Sequence, residues 1–390
     1  MNDKELITDG KKVLSKVMRI LRKDSLKNLE PKSGYFMIPS DVGGPEQPLF
    51  WIPTQGCSYA KSDSGGCTMC NFGGSLERFT DEFLLEQFID MLENPIIKSS
   101  TVLNYGGQGS FFDEKEHSRW LREKILEEVA KRDWVNVFVC ESRPEYATRD
   151  KIRHMREVLE DKIIEVGVGV ESTNQLVREG IINKNFNENT YNSLLDYARG
   201  YDIEVSLNVM FKPNLLTESE AISDSVNTIR QLLEGVSEDD PIKRIVLMMI
   251  NIKPGTLVEW AYRKGYYESP LLWSGIEVLS RLTQREREFV KVLGFDTGVS
   301  PLGYISNNDK TTEEVREALK DFSRNHEIKP LLKLREIYGD SPSYLLWENK
   351  MSRPQFNGEF PGQEMEPLKR RLVNFYRLLE KEFNLKPYIF

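Results

Sequence analysis

A chain of 390 residues, 39% of them hydrophobic, carries enough apolar material for one large domain or two. Its N-terminus has no apolar signal-peptide core and no run is long enough to span a bilayer, so a cytoplasmic chain with no membrane partner is expected. A net charge of -8 lacks the basic footprint of a protein that grips nucleic acid over a broad face, although it leaves a local basic face open.

Residues 1–45 read as an N-terminal helical extension. Leu6, Val13, Val17, Ile20 and Leu21 recur at roughly helical spacing. The interleaved Lys11, Lys12, Lys16, Arg19, Arg22 and Lys23 read as a solvated face rather than as a contact for an acidic partner. The stretch 26–47, rich in Pro and Gly, reads as a connection. From 46 to 255 strands and helices alternate. Strands are expected at Leu49–Pro53, Thr101–Tyr105, Val135–Glu141, Ile163–Glu171, Glu204–Phe211 and Arg244–Ile252. The intervening helices are Asp81–Leu92, His117–Arg132, Arg149–Glu160, Asn189–Gly200 and Glu218–Glu234. Such alternation indicates βαβ units and a parallel sheet, here an α/β partial (β/α)6 TIM-like barrel. Residues 256–390 read as a mainly helical C-terminal addition. It holds a helix around Leu257, Trp260, Ala261 and Lys264, another over 276–287, a loop at Val299–Ile305 and a helix over 368–383. Tyr266, Tyr267, Trp273 and Tyr304 could stack on a planar ligand but more often such residues are core.

Ligand sites in parallel sheets lie at the carboxyl ends of the strands. The first strand runs into Gln55–Gly74, which holds Cys57, Cys67 and Cys70 in the spacing C-x9-C-x2-C. Clustered thiols in a reducing compartment point to a metal rather than a disulfide. Structural zinc takes a fourth protein ligand. A four-iron cluster normally takes four cysteines, so three leave one iron open. A zinc loop, or cysteines without metal, are the bland alternatives. After the second strand comes Asn104-Tyr-Gly106-Gly107-Gln108-Gly109-Ser110, whose glycines let backbone approach a ligand closely. Period-two alternation puts Ile164, Val166, Val168 and Val170 on the helix side of the fourth strand and Glu165, Gly167, Gly169 and Glu171 on the lumen side. Ser206 and Asn208 join them from the fifth strand. Cys140 points away from the lumen if Glu141 points in, and reads as a buried structural cysteine.

The cysteine loop followed by the glycine turn resembles the radical S-adenosylmethionine (radical SAM) enzymes. Their common spacing is C-x3-C-x2-C, and the longer first gap matches a subgroup. Glu141-Ser-Arg143-Pro-Glu145, Gly169-Val-Glu171-Ser172, the run from Ser206 to Pro213 and the run from Lys253 to Glu259 narrow the resemblance. Over about residues 46–300 the chain is similar to the archaeosine-synthase radical SAM subunit (RaSEA). Several of these motifs also resemble the radical SAM half of the Elongator catalytic subunit. The resemblance implies a [4Fe-4S] cluster on Cys57, Cys67 and Cys70 and SAM on the open iron. Reductive cleavage would give a 5′-deoxyadenosyl radical that takes hydrogen from a substrate. Gly106, Gly107 and Gln108, the last in place of the usual Glu, would face the methionine amino group. Glu171, Ser172, Asn208 and Lys212 are candidates for the remaining SAM contacts, and Glu141 and Arg143 for catalytic roles. A flavodoxin- or ferredoxin-type electron donor is implied as a partner. The chain departs from the family in having no cysteine in its C-terminal third and no acetyltransferase domain. With its acidic charge, these departures put a free small molecule or peptide slightly ahead of tRNA as substrate. The tRNA alternative is C–N cleavage of a lysine–nucleoside adduct, as RaSEA performs; the other is a non-enzymatic zinc or iron–sulfur module.

Overall fold

The computed structural model describes residues 2–25, 33–38, 47–52, 54–72, 79–106, 109–237, 239–294, 306–351 and 368–387. Helix α1 (Asp3–Ser25) comes first, with acidic residues in its first turn and Arg22 and Lys23 in its last, as the helix dipole favours. Strand β1 (Gly34–Ile38) pairs antiparallel with β2 (Gln47–Trp51). The cysteine loop holds one helical turn, α2 (Ser58–Lys61). Then follow α3 (Asp81–Glu93), α4 (Pro95–Lys98), β3 (Val102–Tyr105), α5 (Arg119–Ala130) and β4 (Val137–Glu141). Next are α6 (Arg149–Val158), β5 (Ile163–Glu171), α7 (Glu188–Gly200), β6 (Glu204–Phe211), α8 (Glu218–Leu232) and β7 (Ile242–Met249). The helix starts are set by side-chain caps: Thr80, Ser118, Asn187 and Thr217 each accept a backbone N–H of the following turn.

The eight strands lie in chain order, and β2 to β8 (Val290–Leu293) are parallel. With sequential order and right-handed crossovers, the helices that connect successive parallel strands fall on one outer face and the sheet curls around a lumen. The fold is thus a partial TIM-like barrel, and among the described residues β1 and β8 are its edges. The six expected strands are all present. Two more lie where sequence read otherwise: β1 in the supposed connection, and β8 beyond the expected helices. The helix expected over 276–287 is two, α10 (Leu272–Arg281) and α11 (Gln284–Glu288), because Thr283 and Glu286 form a capping box that starts a new one. Helix α9 (Leu257–Arg263) precedes them. After β8 come α12 (Thr311–Asn325), α13 (Lys329–Tyr338), α14 (Pro342–Met351) and α15 (Leu368–Glu382). Tyr267 and Trp273 are core, and Tyr266 packs half-buried on Trp260. Tyr304 and the expected 299–305 loop lie outside the described residues.

The N-terminal helix is part of the body. Leu6, Val13, Leu14, Val17 and Met18 are fully buried, while Ile20 faces out at 39% exposure. Helix α15 packs beside it: a Cβ on Gly10 would collide with the Tyr376 ring, whose hydroxyl donates to the Gly180 carbonyl at 2.7 Å. The expected solvated basic face is corrected at two positions. Lys11 pairs with Glu179 at 2.6 Å, and Arg22 is buried. No helix among the described residues is long and apolar enough to cross a membrane.

Candidate functional site

Strand pairing builds the lumen wall layer by layer. Glu141 sits beside Gly167, Gly167 beside Ser206, and Ser206 beside Arg244. A Cβ on Gly167 would come 3.1 Å from the Glu141 side chain and 3.4 Å from Ser206 Oγ, so the missing side chain is what leaves room there. Along β4 the lumen side is partly open at Val137 and Val139 and exposed at Glu141, while Phe138 and Cys140 are fully buried. Cys140 therefore lies in the outer core, as its parity predicted. The Glu141 carboxylate is open to solvent yet surrounded by protein, as expected of a group lining a water-filled lumen. Burial raises its pKa, against a hydrogen bond that Asn208 Nδ2 donates at 3.4 Å. Deeper in, Glu165 and Arg244 form an ion pair at 2.5 Å.

The cysteine loop closes over the carboxyl end of β2. Cys57 N–H donates to the Phe72 carbonyl at 2.7 Å, which ties the start of the loop to its end, and Cys70 N–H donates to Cys67 O at 3.3 Å. Gly56 needs its φ of +75°, since a Cβ would stand 2.7 Å from Phe72 O. Thr68 pins the loop on three sides: its N–H and hydroxyl donate to the carbonyls of Ile182 and Ile181 at 2.9 Å each, and its carbonyl accepts from Leu257 N–H at 2.9 Å. Arg22 of α1 donates to the carbonyls of Ala60, Gly65, Cys67 and Cys70.

Glu116 joins this loop to the glycine turn. It accepts from Ser58 N–H at 2.8 Å and from Ser110 N–H at 2.5 Å, and Gly109 has no room for a side chain beside it. Burial pushes the Glu116 carboxyl up to about 8, against those two donors. Gly106 N–H donates to Phe50 O at 2.7 Å, placing the turn beside β2. Gly107 and Gln108 lie outside the described residues.

The thiols suit a cationic partner. Burial, then Glu116 and the neighbouring Cys70 thiol, push Cys57 up to about 12. Burial also raises Cys67, against the nearby Lys184 and Arg143 cations. Thiolates are the ligating form, so three of them here require positive charge among them, which the irons of a cluster supply. Among the described residues, no three Cys, His, Asp or Glu side chains converge on a point that would hold a single metal ion. A cluster makes a different demand, one thiolate to each of three irons.

Other candidates divide. Glu171 stands at the lumen mouth, paired with Lys184 at 2.7 Å, and a Cβ on Gly169 would strike both. Arg143 is buried under the loop, with its guanidinium 3.9 Å from the Tyr59 ring centroid and donating to Lys184 O at 2.8 Å. It also donates to Asn185 O at 3.2 Å, and so holds the Asn183–Asn185 turn against the cysteine loop. Lys212 and Ser172 turn away from the lumen. Lys212 is 1% exposed and salt-bridged to Glu218 at 2.6 Å. Ser172 Oγ donates to Asp224 of α8 at 3.0 Å. Sequence reading missed Arg22, Glu116, Thr68 and Lys184; no local spacing marks them.

Asp224 yields a pH prediction. Burial pushes its carboxyl from 3.8 up to about 7, against the Ser172 hydrogen bond. The folded chain holds this proton more tightly than the unfolded chain. Its stabilisation is therefore complete below 3.8 and is lost as pH rises through about 7. Asp224→Asn is expected to flatten that part of the pH profile of the melting temperature. Parallel profiles for variant and wild type would refute the assignment.

The sequence has clear relatives. It is 30% identical over 308 residues to the uncharacterised protein MJ0550 of Methanocaldococcus jannaschii, covering 77% of this chain and 82% of that one. It is 28% identical over 272 residues to archaeosine synthase subunit beta of Methanosarcina acetivorans, covering 69% and 75%. The subunit of that name from Thermococcus kodakarensis is 26% identical over 318 residues, covering 78% and 93%. No family model matches the chain. Among solved structures, Elp3 of Methanocaldococcus infernus overlays with a TM-score of 0.42 at 14% identity, covering 62% of this chain and 59% of that one. Methylornithine synthase (PylB) overlays with 0.41 at 15%, covering 87% and 93%. With TM-scores this low, the assignment rests on the sequence relatives.

Proposed function

The chain belongs to one family with MJ0550, and we propose on that premise, and on its likeness to the archaeosine synthase beta subunits, that it is a [4Fe-4S] radical SAM enzyme. The observation that carries the reading is the loop of Cys57, Cys67 and Cys70 at the carboxyl end of β2, beside a lumen lined by Glu141, Ser206 and Asn208. These three cysteines would hold the cluster, and the glycine turn from Gly106 through Gly107 and Gln108 would bind SAM through backbone groups. When bound and supplied with one electron from a reductant, the cluster and SAM would provide radical hydrogen-abstraction chemistry at the lumen.

The chain's residues bind, orient and exclude water. Glu116 keeps the cysteine loop and the glycine turn in register. Glu171, held by Lys184, presents a carboxylate at the mouth for SAM. Glu141 and Asn208 face what enters the lumen. For the substrate, the names of the relatives favour an archaeosine-synthase role on a nucleoside of tRNA, with a second subunit as partner. A free small molecule or peptide is the second reading, favoured by the net charge of -8. A flavodoxin- or ferredoxin-type donor would deliver the electron. A non-enzymatic metal module would have no use for the open polar lumen.

The test is anaerobic reconstitution with iron and sulfide, then SAM and dithionite, with 5′-deoxyadenosine read by chromatography. Cluster-dependent product is expected. Iron-loaded protein that never cleaves SAM, even with candidate substrates, would overturn the enzyme reading, and zinc alone in the protein would overturn the cluster. A tRNA mobility shift that weakens steeply with salt would support the nucleic-acid substrate over the free one.

A further inference from the structure

We propose that Arg22, from the N-terminal helix outside the barrel, is a positioning residue for the cluster: its guanidinium is the template around which the long cysteine loop folds. The inference rests on the reading of Cys57, Cys67 and Cys70 as cluster ligands and adds a residue on which that site depends.

The nine residues between Cys57 and Cys67 are costly to order. They make one helical turn and then pass through Gly65 and Gly66, at φ +70° and +76°. Both glycines are shaped by α1. A Cβ on Gly65 would stand 2.7 Å from Ser15 O, and one on Gly66 would stand 2.6 Å from Arg22 Nη1. The loop is thus wrapped on the helix as closely as backbone allows.

The inside of the wrap is filled by one side chain. Arg22 is 5% exposed. Its Nη1 donates to Ala60 O at 2.9 Å and to Gly65 O, and its Nη2 donates to Cys67 O at 3.1 Å and Cys70 O at 2.9 Å. Two of the four acceptors are the carbonyls of cluster ligands. Four carbonyls turned toward one point, three of them buried, repel one another and are poorly hydrated, so without the cation this loop conformation is unfavourable. A planar fork of fixed geometry satisfies them together, which the single ammonium of lysine cannot do. From the other side Asn183 Nδ2 donates to the carbonyls of Ser64 and Gly66 at 2.9 Å each, so the loop is gripped between α1 and the turn after β5.

Two consequences follow for a cluster held by this loop. The sulfurs of Cys67 and Cys70 are held at a fixed separation by the backbone that Arg22 fastens. The guanidinium is also a fixed positive charge beside a redox centre, so it favours the reduced, more negative cluster and raises its potential.

The experiment compares wild type, Arg22→Met and Arg22→Lys as full-length chains. Circular dichroism and thermal melts of the metal-free proteins report the fold. Iron and sulfide content, and the electron paramagnetic resonance signal and midpoint potential of the reduced cluster, report the site. Arg22→Met is expected to fold and to retain several-fold less iron. Any cluster that Arg22→Met retains is expected to have a more negative midpoint potential, since the charge is gone; Arg22→Lys, which keeps the charge but not the fork, is expected to load in part with an altered resonance signal. Should Arg22→Met fail to fold, Arg22→Lys decides the matter. Full iron with an unchanged signal in Arg22→Lys, or full iron in a folded Arg22→Met, would overturn the proposal and leave the cluster reading standing. A wild-type chain that takes up no iron would overturn both.

Discussion

Cys67→Ala is expected to leave a folded chain that assembles no [4Fe-4S] cluster and forms no 5′-deoxyadenosine. The loop is fastened by groups other than the Cys67 sulfur. Arg22 holds the Cys67 carbonyl, Thr68 holds the next residue, and Cys57 N–H reaches Phe72 O. Loss of one sulfur from a site that is 8% exposed costs roughly 1 kcal/mol, in the range of small core truncations. The chemical loss is of a different order. With two thiolates left, two irons would have no protein ligand, and SAM needs only one open position. Iron and sulfide analysis, the cluster's absorption and the SAM-cleavage assay read the result. Cys140→Ala is the matched control: that thiol is fully buried on the helix side of β4, and its loss should spare iron and turnover alike. A Cys67→Ala protein with full iron and turnover would remove the ligand assignment, and a Cys140→Ala protein that loses its iron would reopen it.

The contrast between these two cysteines was legible in the sequence, because both signals are local. A C-x9-C-x2-C loop after a strand is a matter of spacing, and the side on which Cys140 falls is a matter of strand parity. Parity also placed Glu141, Gly167, Ser206 and Asn208 on one wall. It failed at Lys212, which the alternation of Ser206, Asn208 and Met210 would carry onto the lumen face. Alternation of faces holds only while the backbone stays extended. Lys212 has φ +57°, so at the end of β6 the chain swings round and carries this side chain out toward α8, whereas Ser172, a candidate from the family resemblance alone, falls on the helix side that parity gives it. What could not be read at all is what spans distance. Arg22 meets Cys67 across 45 residues and Asn183 meets Gly66 across 117. No pattern in either segment specifies the partner; the destination is set by how α1 and the β5 turn fold onto the loop. Strands β1 and β8 were missed for a related reason: each is short, of 5 and 4 residues, and lies at a sheet edge, where a neighbour rather than an alternating pattern makes the strand.

Lys212→Met is expected to cost about 3–5 kcal/mol of stability, the price of breaking a buried ion pair from one side. Lys212 and Glu218 are 1% and 2% exposed, with 2.6 Å between ammonium and carboxylate. The ammonium also donates to the Glu268 carbonyl at 3.0 Å, and the Lys212 carbonyl accepts from the Tyr267 hydroxyl at 3.0 Å. Glu218 in turn accepts from Leu271 N–H at 3.3 Å and from the Ser274 hydroxyl. One pair therefore fastens the end of β6 to α8 and to the segment leading into α10. Methionine keeps most of the lysine stem, so packing changes little, and the loss measures the uncompensated Glu218 carboxylate. Adding Glu218→Gln removes that charge and keeps an acceptor for Leu271 and Ser274, so the double variant should regain most of the lost stability. Denaturant or thermal unfolding of both variants reads the difference. A single variant within about 1 kcal/mol of wild type would mean that the pair is not the brace. If the brace is confirmed, turnover should fall less than stability. Asn208, on the lumen side of β6, is held by its neighbours across the strand pairs and loses only the fastening at the strand's end.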